Sequence, residues 1–284
     1  MITKNLKKHI SNLEKVDLHT HTFLSDGVYS PSEVVKLASE RSISILSITD
    51  HDNTSGIEEA ISAGNDLGIE IISGVEISTD IEDREVHILG YFMDINNEEL
   101  NKYLSFFRDE RFHRAKRIVL KLNKLGIRIS MDDVLVHAHN SAIGRPHIAY
   151  ALLDLGYIEN YYHAFDKYIG DNGPAYERKI HVSPQSALKI INDSGGLSFI
   201  AHPGNMKESV VLALINAGID GIEVIHPSHS ESQVKFYKGI VAQYCLLASG
   251  GSDFHGGKKN DDSYLGKFFI SPSYINTMRK MLQR

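Results

Sequence analysis

The chain of 284 residues contains one cysteine and no tryptophan. No run of apolar residues approaches the ~18 that a membrane-spanning helix needs, so we expect no membrane association. A single cysteine excludes a disulfide framework and argues against a metal site built on thiolates. Cys245 lies in the apolar stretch YCLLA, which predicts a small core residue. The N-terminal sequence MITKNLKKHI lacks the apolar core of a signal peptide, so we expect a cytoplasmic location.

An excess of basic charge is also lacking. Lys and Arg number 30 against 36 Asp and Glu, so the formal net charge of −6 does not indicate a nucleic-acid-binding protein. The hydrophobic content of 42% and charged content of 23% are those of an ordinary globular protein. The length allows one barrel with an insertion or two compact domains. Histidine is abundant, with 15 residues placed mostly beside predicted strand ends, which favours metal chemistry.

The stretch DLHTHTFLSDG, residues 17 to 27, carries the first candidate site. Its alternation predicts a β-strand with His19 and His21 on one face. The turn Ser25-Asp26-Gly27 can bring a carboxylate back toward these imidazoles. Two histidines and an aspartate within eight residues suggest a divalent metal. Taken alone, this pattern is more typical of a strand with two exposed histidines.

Similar clusters recur after other apolar runs, and this recurrence favours the metal interpretation. The polar groups are TDHD (49–52) with His51, GVE (74–76) with Glu76, AHP (201–203) with His202, and SDFH (252–255) with Asp253 and His255, while His87 lies inside a further apolar run. Six strand-like segments that carry metal-type residues are expected to converge on one rim. Active sites of barrels with alternating strands and helices lie at the rim formed by the carboxyl ends of the strands.

The order of predicted elements indicates an α/β fold. Up to residue 94 the chain reads β-α-β-α-β-β, which fits a distorted barrel with mostly parallel strands. Apolar residues at steps of three and four then predict a long amphipathic helix from Asn97 to Leu125. No strand-like run interrupts about residues 95 to 194, so we predict a helical insertion that covers the site. Strand and helix alternate again from LSFIAHP onward.

The motifs HTH with Asp26, TDHD, AHP and SDFH, together with GVE and VHILGY, resemble those of the polymerase and histidinol phosphatase (PHP) family of metal-dependent phosphoesterases. The resemblance extends from about Val16 to about Phe269 and includes the order and spacing of the motifs. It implies a distorted (β/α)7-type PHP barrel formed by residues 1–94 and 195–284, with the helical insertion domain at 95–194.

The resemblance also implies three divalent cations. The first would be bound by His19, His21, Glu76 and Asp253, the second by Asp26, His51 and His255, and the third by His87 and His202 with Glu76 bridging. A carboxylate suits the bridging role because it has two oxygens and its charge offsets the repulsion between adjacent cations. Imidazole and carboxylate ligands suit manganese, our first choice, and also iron or zinc. Asp50 and Asp52, which flank His51, are predicted to orient ligands instead of binding metal.

Substrate recognition is predicted to involve the motif Gly144-Arg145-Pro146-His147. Arg145 stands at a helix start, where a guanidinium and free amides could bind a phosphate, and the motif resembles one in the nucleotide-cleaving branch of the family. The alternative is a surface arginine at a helix N-terminus. In EVIHPSH (223–229), His226 or His229 could contact phosphate or protonate a leaving oxygen, or could simply order the loop.

Arg114 belongs to a basic stripe on the long predicted helix, with Arg108, Arg111, Arg117, Lys121, Lys124 and Arg128. Such a stripe is usually a solvated face, but above a phosphoester site it could guide a polyanion, with Arg114 in contact with substrate. Tyr161, Tyr162 or Tyr176 could then stack on a base. The family's nucleotide branch often has a basic residue before its PAY segment, whereas Asn172-Gly173 precedes it here.

The predicted function is hydrolysis of phosphate esters of nucleotides by a metal-activated water. The expected substrates are a nucleoside 3′,5′-bisphosphate, losing its 3′-phosphate, or short RNA degraded from its 5′ end. One alternative is histidinol-phosphate phosphatase, which would not be expected to carry the insertion. Another is a non-catalytic PHP module of the kind attached to bacterial DNA polymerases. No protein partner is indicated.

Overall fold

The computed structural model describes residues 14–81, 84–138, 143–178, 180, 182–257 and 260–283. Most of the predicted N-terminal lead-in (1–15) therefore lies outside the described residues. The strands are β1 (Lys15–Thr20), β2 (Ile43–Ile48), β3 (Glu70–Ile81), β4 (Arg84–Tyr91), β5 (Leu197–Ile200), β6 (Gly221–Ile225) and β7 (Leu247–Gly250). The helices are α1 (Pro31–Glu40), α2 (Ile57–Leu67), α3 (Glu98–Lys124), α4 (Met131–Ala138), α5 (Arg145–Asp154), α6 (Tyr162–Ala164, continued by a π-helical turn over Phe165–Ile169), α7 (Pro184–Asp193), α8 (Glu208–Asn216), α9 (Glu231–Gln243) and α10 (Pro272–Leu282).

The seven strands form one sheet in chain order, from β1 to β7. Pairing is parallel within β1-β2-β3 and β5-β6-β7, and β4 is antiparallel to both β3 and β5. The segment after β7 closes the sheet against β1, because the Asp253 N–H donates to the His19 carbonyl at 2.8 Å and the His21 N–H donates to the Phe254 carbonyl at 2.9 Å. The predicted α/β distorted barrel is confirmed.

Local signals in the sequence define several element ends. Ser30 caps α1 in a capping box with Glu33, and Pro31 occupies the first turn. Gly68 ends α2 in a left-handed conformation with φ 71°, which glycine adopts without steric cost. Strands β3 and β4 form a hairpin in which the pairing extends to Ile81 and Arg84.

Helix α3 joins the barrel to the inserted helices. Asn97 caps the helix, and Leu100 and Leu104 in its first half pack into the core between the barrel sheet and its outer helices. Farther along, Ile118 and Leu122 belong to a separate apolar cluster made by the inserted helices α3 to α6. The first half of this 27-residue helix thus packs in the barrel core, and its second half packs in the core of the insertion. The predicted boundaries at residues 95 and 194 remain a prediction.

Two details differ from expectation. Cys245 is exposed, contrary to the predicted core position, because it lies in the left-handed turn between α9 and β7 with φ 54°, and full burial begins only at Leu247. Leu125 is 47% exposed because it follows the last residue of α3. Within the described ranges, the structure contains no helix that is both long and apolar enough to cross a membrane.

Candidate metal centre at the barrel rim

Imidazoles and carboxylates from every strand of the barrel meet at one rim. The residues are His19 and His21 of the β1 region, His51 after β2, Glu76 in β3, His87 in β4, His202 after β5, His226 after β6, and Asp253 and His255 after β7, joined by Asp26 from the loop after β1. All nine predicted ligands are therefore brought together, although their roles as ligands remain a prediction.

Glu76 lies at the centre of this cluster. Its carboxylate is 1% exposed and lies within 3.5 Å of five imidazoles. Oε2 faces His19, His21 and His51, whereas Oε1 lies 2.6 Å from His87 Nδ1 and 2.9 Å from His202 Nε2. The two oxygens thus face two different groups of imidazoles, which is the arrangement that a bridging carboxylate needs.

Donor atoms around His19 have the spacing of a cation site. His19 Nε2 and His21 Nε2 are 3.1 Å apart, and each lies 3.2–3.3 Å from Glu76 Oε2 and from Asp253 Oδ1. Ligands that surround an ion tetrahedrally at ~2.0 Å are separated from one another by ~3.3 Å. The two imidazole nitrogens therefore have this spacing with either carboxylate oxygen, and His19, His21 and Glu76 form a group that could hold one ion.

A second group is centred on Asp26. Its Oδ1 lies 3.1 Å from His255 Nε2, 3.7 Å from His21 Nδ1 and 4.0 Å from His51 Nε2. Together with His51 and His255, Asp26 forms the predicted second ligand set, and His21 also approaches it.

His226 was predicted as a candidate acid. It also lies close to His19 and Asp253 in a group that could hold an ion, with Nε2 3.3 Å from Asp253 Oδ2.

The electrostatics of the cluster favour added positive charge. Burial opposes protonation of His21, yet Asp253 and Glu76 raise its pKa to about 9. Burial likewise opposes protonation of His87, but Glu76 and Glu85 raise its pKa to about 10. His51 behaves oppositely, since burial lowers its pKa, and its Nδ1 is buried without a hydrogen-bond partner among the described residues. Divalent cations fit this set because they satisfy neutral imidazole nitrogens and balance the carboxylates.

Backbone strain accompanies the site. Asp52, His202 and Asp253 all have positive φ, at 51°, 25° and 50°. Non-glycine residues rarely adopt this region, and they do so most often at functional sites, where surrounding contacts enforce the conformation. All three residues lie in segments that follow barrel strands. His202 and Asp253 are themselves predicted ligands, and Asp52 directly follows the predicted ligand His51. Local backbone strain therefore occurs at the positions where the chain turns side chains toward the cluster.

Two buried acids support the imidazoles and have no role assigned from the sequence. Glu223 is fully buried, accepts from His19 Nδ1 at 2.9 Å and accepts from the backbone N–H of His202 at 2.6 Å. Asp17, whose pKa burial raises to about 7, accepts from the His19 and Ser252 amides. Two features of the sequence could have indicated these roles. Glu223 is a carboxylate inside the apolar strand GIEVI, and Asp17 lies two residues before His19, on the same face of the strand.

The acids that flank His51 bind other groups. Asp50 accepts from the Thr22 N–H and hydroxyl and from the Ser25 hydroxyl, so it fixes the loop that carries Asp26. Asp52 forms an ion pair with Arg111 at 2.6 Å. These contacts agree with the orienting role expected of both acids.

Arginines from the insertion face these candidate metal ligands, which we call the metal cluster, across a cavity of about 220 Å³, which we call the arginine cavity. Arg111, Arg114 and Arg145 line it together with Asp26, His51 and His87. Burial, and then the positive charges of Arg145 and Arg111, lower the pKa of Arg114 to about 10. Arg145 stacks near Tyr176 and donates to Asp171 at 2.6 Å. An anion bound here would relieve the repulsion among the three guanidinium groups.

The remaining residues that were predicted to contact substrate have other partners or lie at the surface. His229 accepts from the Gly204 N–H through Nε2 and contacts the Val224 carbonyl through Nδ1, both at 3.0 Å, so these contacts favour the alternative in which it orders the loop. The basic residues of α3 have different partners. Arg111 and Arg114 line the arginine cavity, whereas Arg117 and Lys121 pair with Glu177. Tyr162 is 68% exposed, whereas Tyr161 packs against the insertion core.

A barrel whose rim gathers imidazoles and carboxylates, with arginines facing them, defines a metal-dependent phosphoesterase. The chain belongs to the PHP domain family, whose model matches residues 17–179. The resemblance of its motifs to that family is thereby confirmed.

Characterised relatives match most of the chain. A 5′-3′ exoribonuclease from Haemophilus influenzae is 34% identical over 85% of this chain and 90% of its own length. A 3′,5′-nucleoside bisphosphate phosphatase from Chromobacterium violaceum is 34% identical over 86% of this chain and 88% of its own. Among solved structures, a candidate metal-dependent phosphoesterase from Bifidobacterium adolescentis superposes with a TM-score of 0.84 and 32% identity, covering 92% of this chain and 94% of that one.

Proposed function

We propose that the protein hydrolyses phosphate esters of nucleotides, removing the 3′-phosphate of nucleoside 3′,5′-bisphosphates and releasing nucleotides from the 5′ end of short RNA. The observation that carries this proposal is the arginine cavity directly beside the metal cluster. Both substrates have a phosphate that is not cleaved and lies one nucleoside away from the phosphate that is. A site for them needs an anion-binding pocket next to the metals, and Arg111, Arg114 and Arg145 supply it.

Three divalent cations are part of the proposal, with manganese first and iron or zinc as the other candidates. The donor groups around His19, Asp26 and Glu76 support three adjacent positions, and their mixture of imidazole and carboxylate suits these ions. The chemistry that such cations supply is Lewis acidity toward the phosphoryl oxygens and the attacking water. We place this activity in the cytoplasm.

The chain's own residues divide the remaining work. Glu223 holds His19 through Nδ1, which leaves Nε2 directed at the cluster. Arg145 and Arg114 bind and orient the phosphate that is not cleaved. His226 lies 7% exposed beside Asp253, where it either completes the ligand set or donates a proton to the leaving oxygen.

Parallel assays test the proposal. The metal-free protein is reloaded with manganese, iron or zinc and given a nucleoside 3′,5′-bisphosphate, a 5′-phosphorylated RNA of a few nucleotides, histidinol phosphate and a generic phosphomonoester. We expect kcat/KM to be highest for the bisphosphate or the RNA. A preference for histidinol phosphate would contradict the proposal, and absence of turnover on every substrate with every metal would favour a non-catalytic module.

A further inference from the structure

A second cavity also borders the candidate metal cluster. It measures about 390 Å³, and we call it the downstream cavity. His87 lines both this cavity and the arginine cavity, while His202 lines the downstream cavity alone. Because both histidines contact Glu76, a phosphate held at the cluster would have one of its neighbours in each cavity.

The lining of the downstream cavity combines an apolar wall with two cations. Val86, Pro203, Met206 and Val210 provide the apolar surface, and the exposed residues Arg84 and Lys207 provide the charge. Within the ranges that the structure describes, the side chains of Arg84 and Lys207 make no ion pair or hydrogen bond. Their charges are therefore available to a ligand. Glu85, which also lines the cavity, contacts His87 at 3.2 Å.

The two cavities suit different parts of one substrate. The arginine cavity is the smaller, at about 220 Å³, and it concentrates three guanidinium groups on one anion, as a terminal phosphate requires. The downstream cavity is larger and combines an apolar wall with two exposed cations, as a base followed by a phosphodiester requires. A nucleoside bisphosphate has nothing to place there, whereas an RNA has its next nucleotide.

We propose that the downstream cavity binds the nucleotide that follows the cleaved phosphate of an RNA, with Arg84 and Lys207 contacting the next phosphodiester. This inference rests on the proposed function. Water bonds to phosphorus and the bond to the 3′-oxygen breaks, and that oxygen takes a proton. The products are a nucleoside 5′-phosphate with a free 3′-hydroxyl and an RNA shortened by one nucleotide with a new 5′-phosphate. That new phosphate fits the arginine cavity in the next cycle.

The test is the double variant Arg84→Ala/Lys207→Ala, compared with Lys36→Ala, which removes an exposed lysine of α1 outside both cavities. All proteins carry manganese and are assayed on a 5′-phosphorylated trinucleotide or pentanucleotide and on a nucleoside 3′,5′-bisphosphate. For the double variant we expect kcat/KM on RNA to fall by up to about 5-fold per cation, mainly through KM. Activity on the bisphosphate stays within about 2-fold of wild type.

Salt dependence supplies a readout that a purely structural effect would not change. For single strands, the slope of log affinity against log salt steepens by ~0.7 for each phosphate that a protein neutralises, so removing both cations from the one phosphodiester that they contact should make the slope shallower by ~0.7. Thermal unfolding checks that both variants remain folded.

Each other outcome overturns the inference. An equal loss on both substrates would place the two cations at the reacting phosphate, and no loss on either would leave the cavity without a substrate role. If the wild type hydrolyses the bisphosphate but not RNA, the inference is wrong while the bisphosphate phosphatase activity of the proposed function stands. If it hydrolyses neither, the proposed function fails and the inference fails with it.

Discussion

At the scale of single residues, Glu76 is the group on which the site is centred. Its two oxygens face five imidazoles from three strand regions and the loop after β2. Nearby imidazoles hold its pKa well below the usual range in spite of complete burial, so the group is a carboxylate and not a carboxylic acid. A buried negative charge of this kind is stable only when positive charge surrounds it.

We predict that Glu76→Gln loses metal content and activity together. Glutamine keeps the size and one oxygen acceptor but removes the negative charge that offsets repulsion between adjacent cations. Metal analysis of the purified variant, alongside assays at several manganese concentrations, checks this expectation. Full metal occupancy with normal turnover would contradict the bridging assignment.

Glu223 acts on the cluster through its neighbours. It holds both the His19 ring and the backbone of His202. We predict that Glu223→Gln raises the manganese concentration needed for half-maximal activity by ~10- to 100-fold, the usual cost of losing a partner that orients a ligand. Saturating manganese should then restore most of kcat. Loss of kcat that saturating metal does not restore would instead assign Glu223 a direct part in the reaction.

At the scale of elements, the loop after β2 links the site to helix α3. Asp52 follows the predicted ligand His51 and pairs with Arg111, which also donates to the Ser78 hydroxyl at 2.7 Å. Arg108, one turn earlier on α3, donates to the Asp52 carbonyl at 3.1 Å. Two arginines of one helix thus hold the strained residue beside a ligand in position.

We predict that Asp52→Ala destabilises the protein substantially. Breaking a buried ion pair costs ~3 to 5 kcal/mol, and the lower end applies here because Arg111 is 21% exposed and water can reach it. Lys102→Ala is the control on the same helix, since Lys102 is 66% exposed in its pair with Glu99 and its loss should cost ~0.5 kcal/mol or less. Urea unfolding at saturating manganese compares the two. Equal stabilities would show that the Asp52 pair contributes nothing.

Sequence reasoning succeeded where an element is specified by neighbouring residues. The Ser30 cap with Pro31, and the period of apolar residues along α3, are local signals that fix where helices begin and which face is buried. It was less accurate where the environment is tertiary. Glu76 lies inside β3, not at its end, because the strand continues above the rim by pairing with β4. Nothing near Cys245 in sequence distinguishes an apolar turn from an apolar strand.

The same distinction applies to the site. Spaced imidazoles and carboxylates are visible in sequence because most of them follow or lie within an apolar run, so the nine residues that meet at the rim could be named as candidates. Their roles as ligands stay a prediction. Glu223 was not assigned a role, since its partner His19 is 204 residues away in the chain. The association of Arg111, Arg114 and Arg145 also depends on how the insertion packs over the rim, which periodicity does not report.

At the scale of the whole molecule, the proposed substrate site is divided between two packing units. The barrel supplies the candidate metal ligands, and the inserted helices, which have a separate apolar core, supply Arg114 and Arg145. Chemistry and recognition can therefore be separated by mutation. A change in the insertion that leaves the barrel rim untouched should alter which substrates are bound without altering metal binding.

Arg145→Ala tests this division. Metal content should equal that of wild type, because Arg145 pairs with Asp171 and stacks near Tyr176, and neither of these is a predicted ligand. A charge-assisted phosphate contact contributes ~1.5 to 3 kcal/mol, so its loss should lower kcat/KM for a nucleoside 3′,5′-bisphosphate by ~10- to 150-fold. A generic phosphomonoester, which has no second phosphate, should be hydrolysed nearly as before.

The matched control is Arg117→Ala, which removes a neighbouring cation of α3 that pairs with Glu177 and does not line the arginine cavity. Its kcat/KM should change little on either substrate. If Arg145→Ala slows both substrates equally, Arg145 acts at the reacting phosphate, since only that phosphate is common to them. If it slows neither, Arg145 is a surface residue at the start of α5, and recognition of the second phosphate must fall to Arg111 and Arg114.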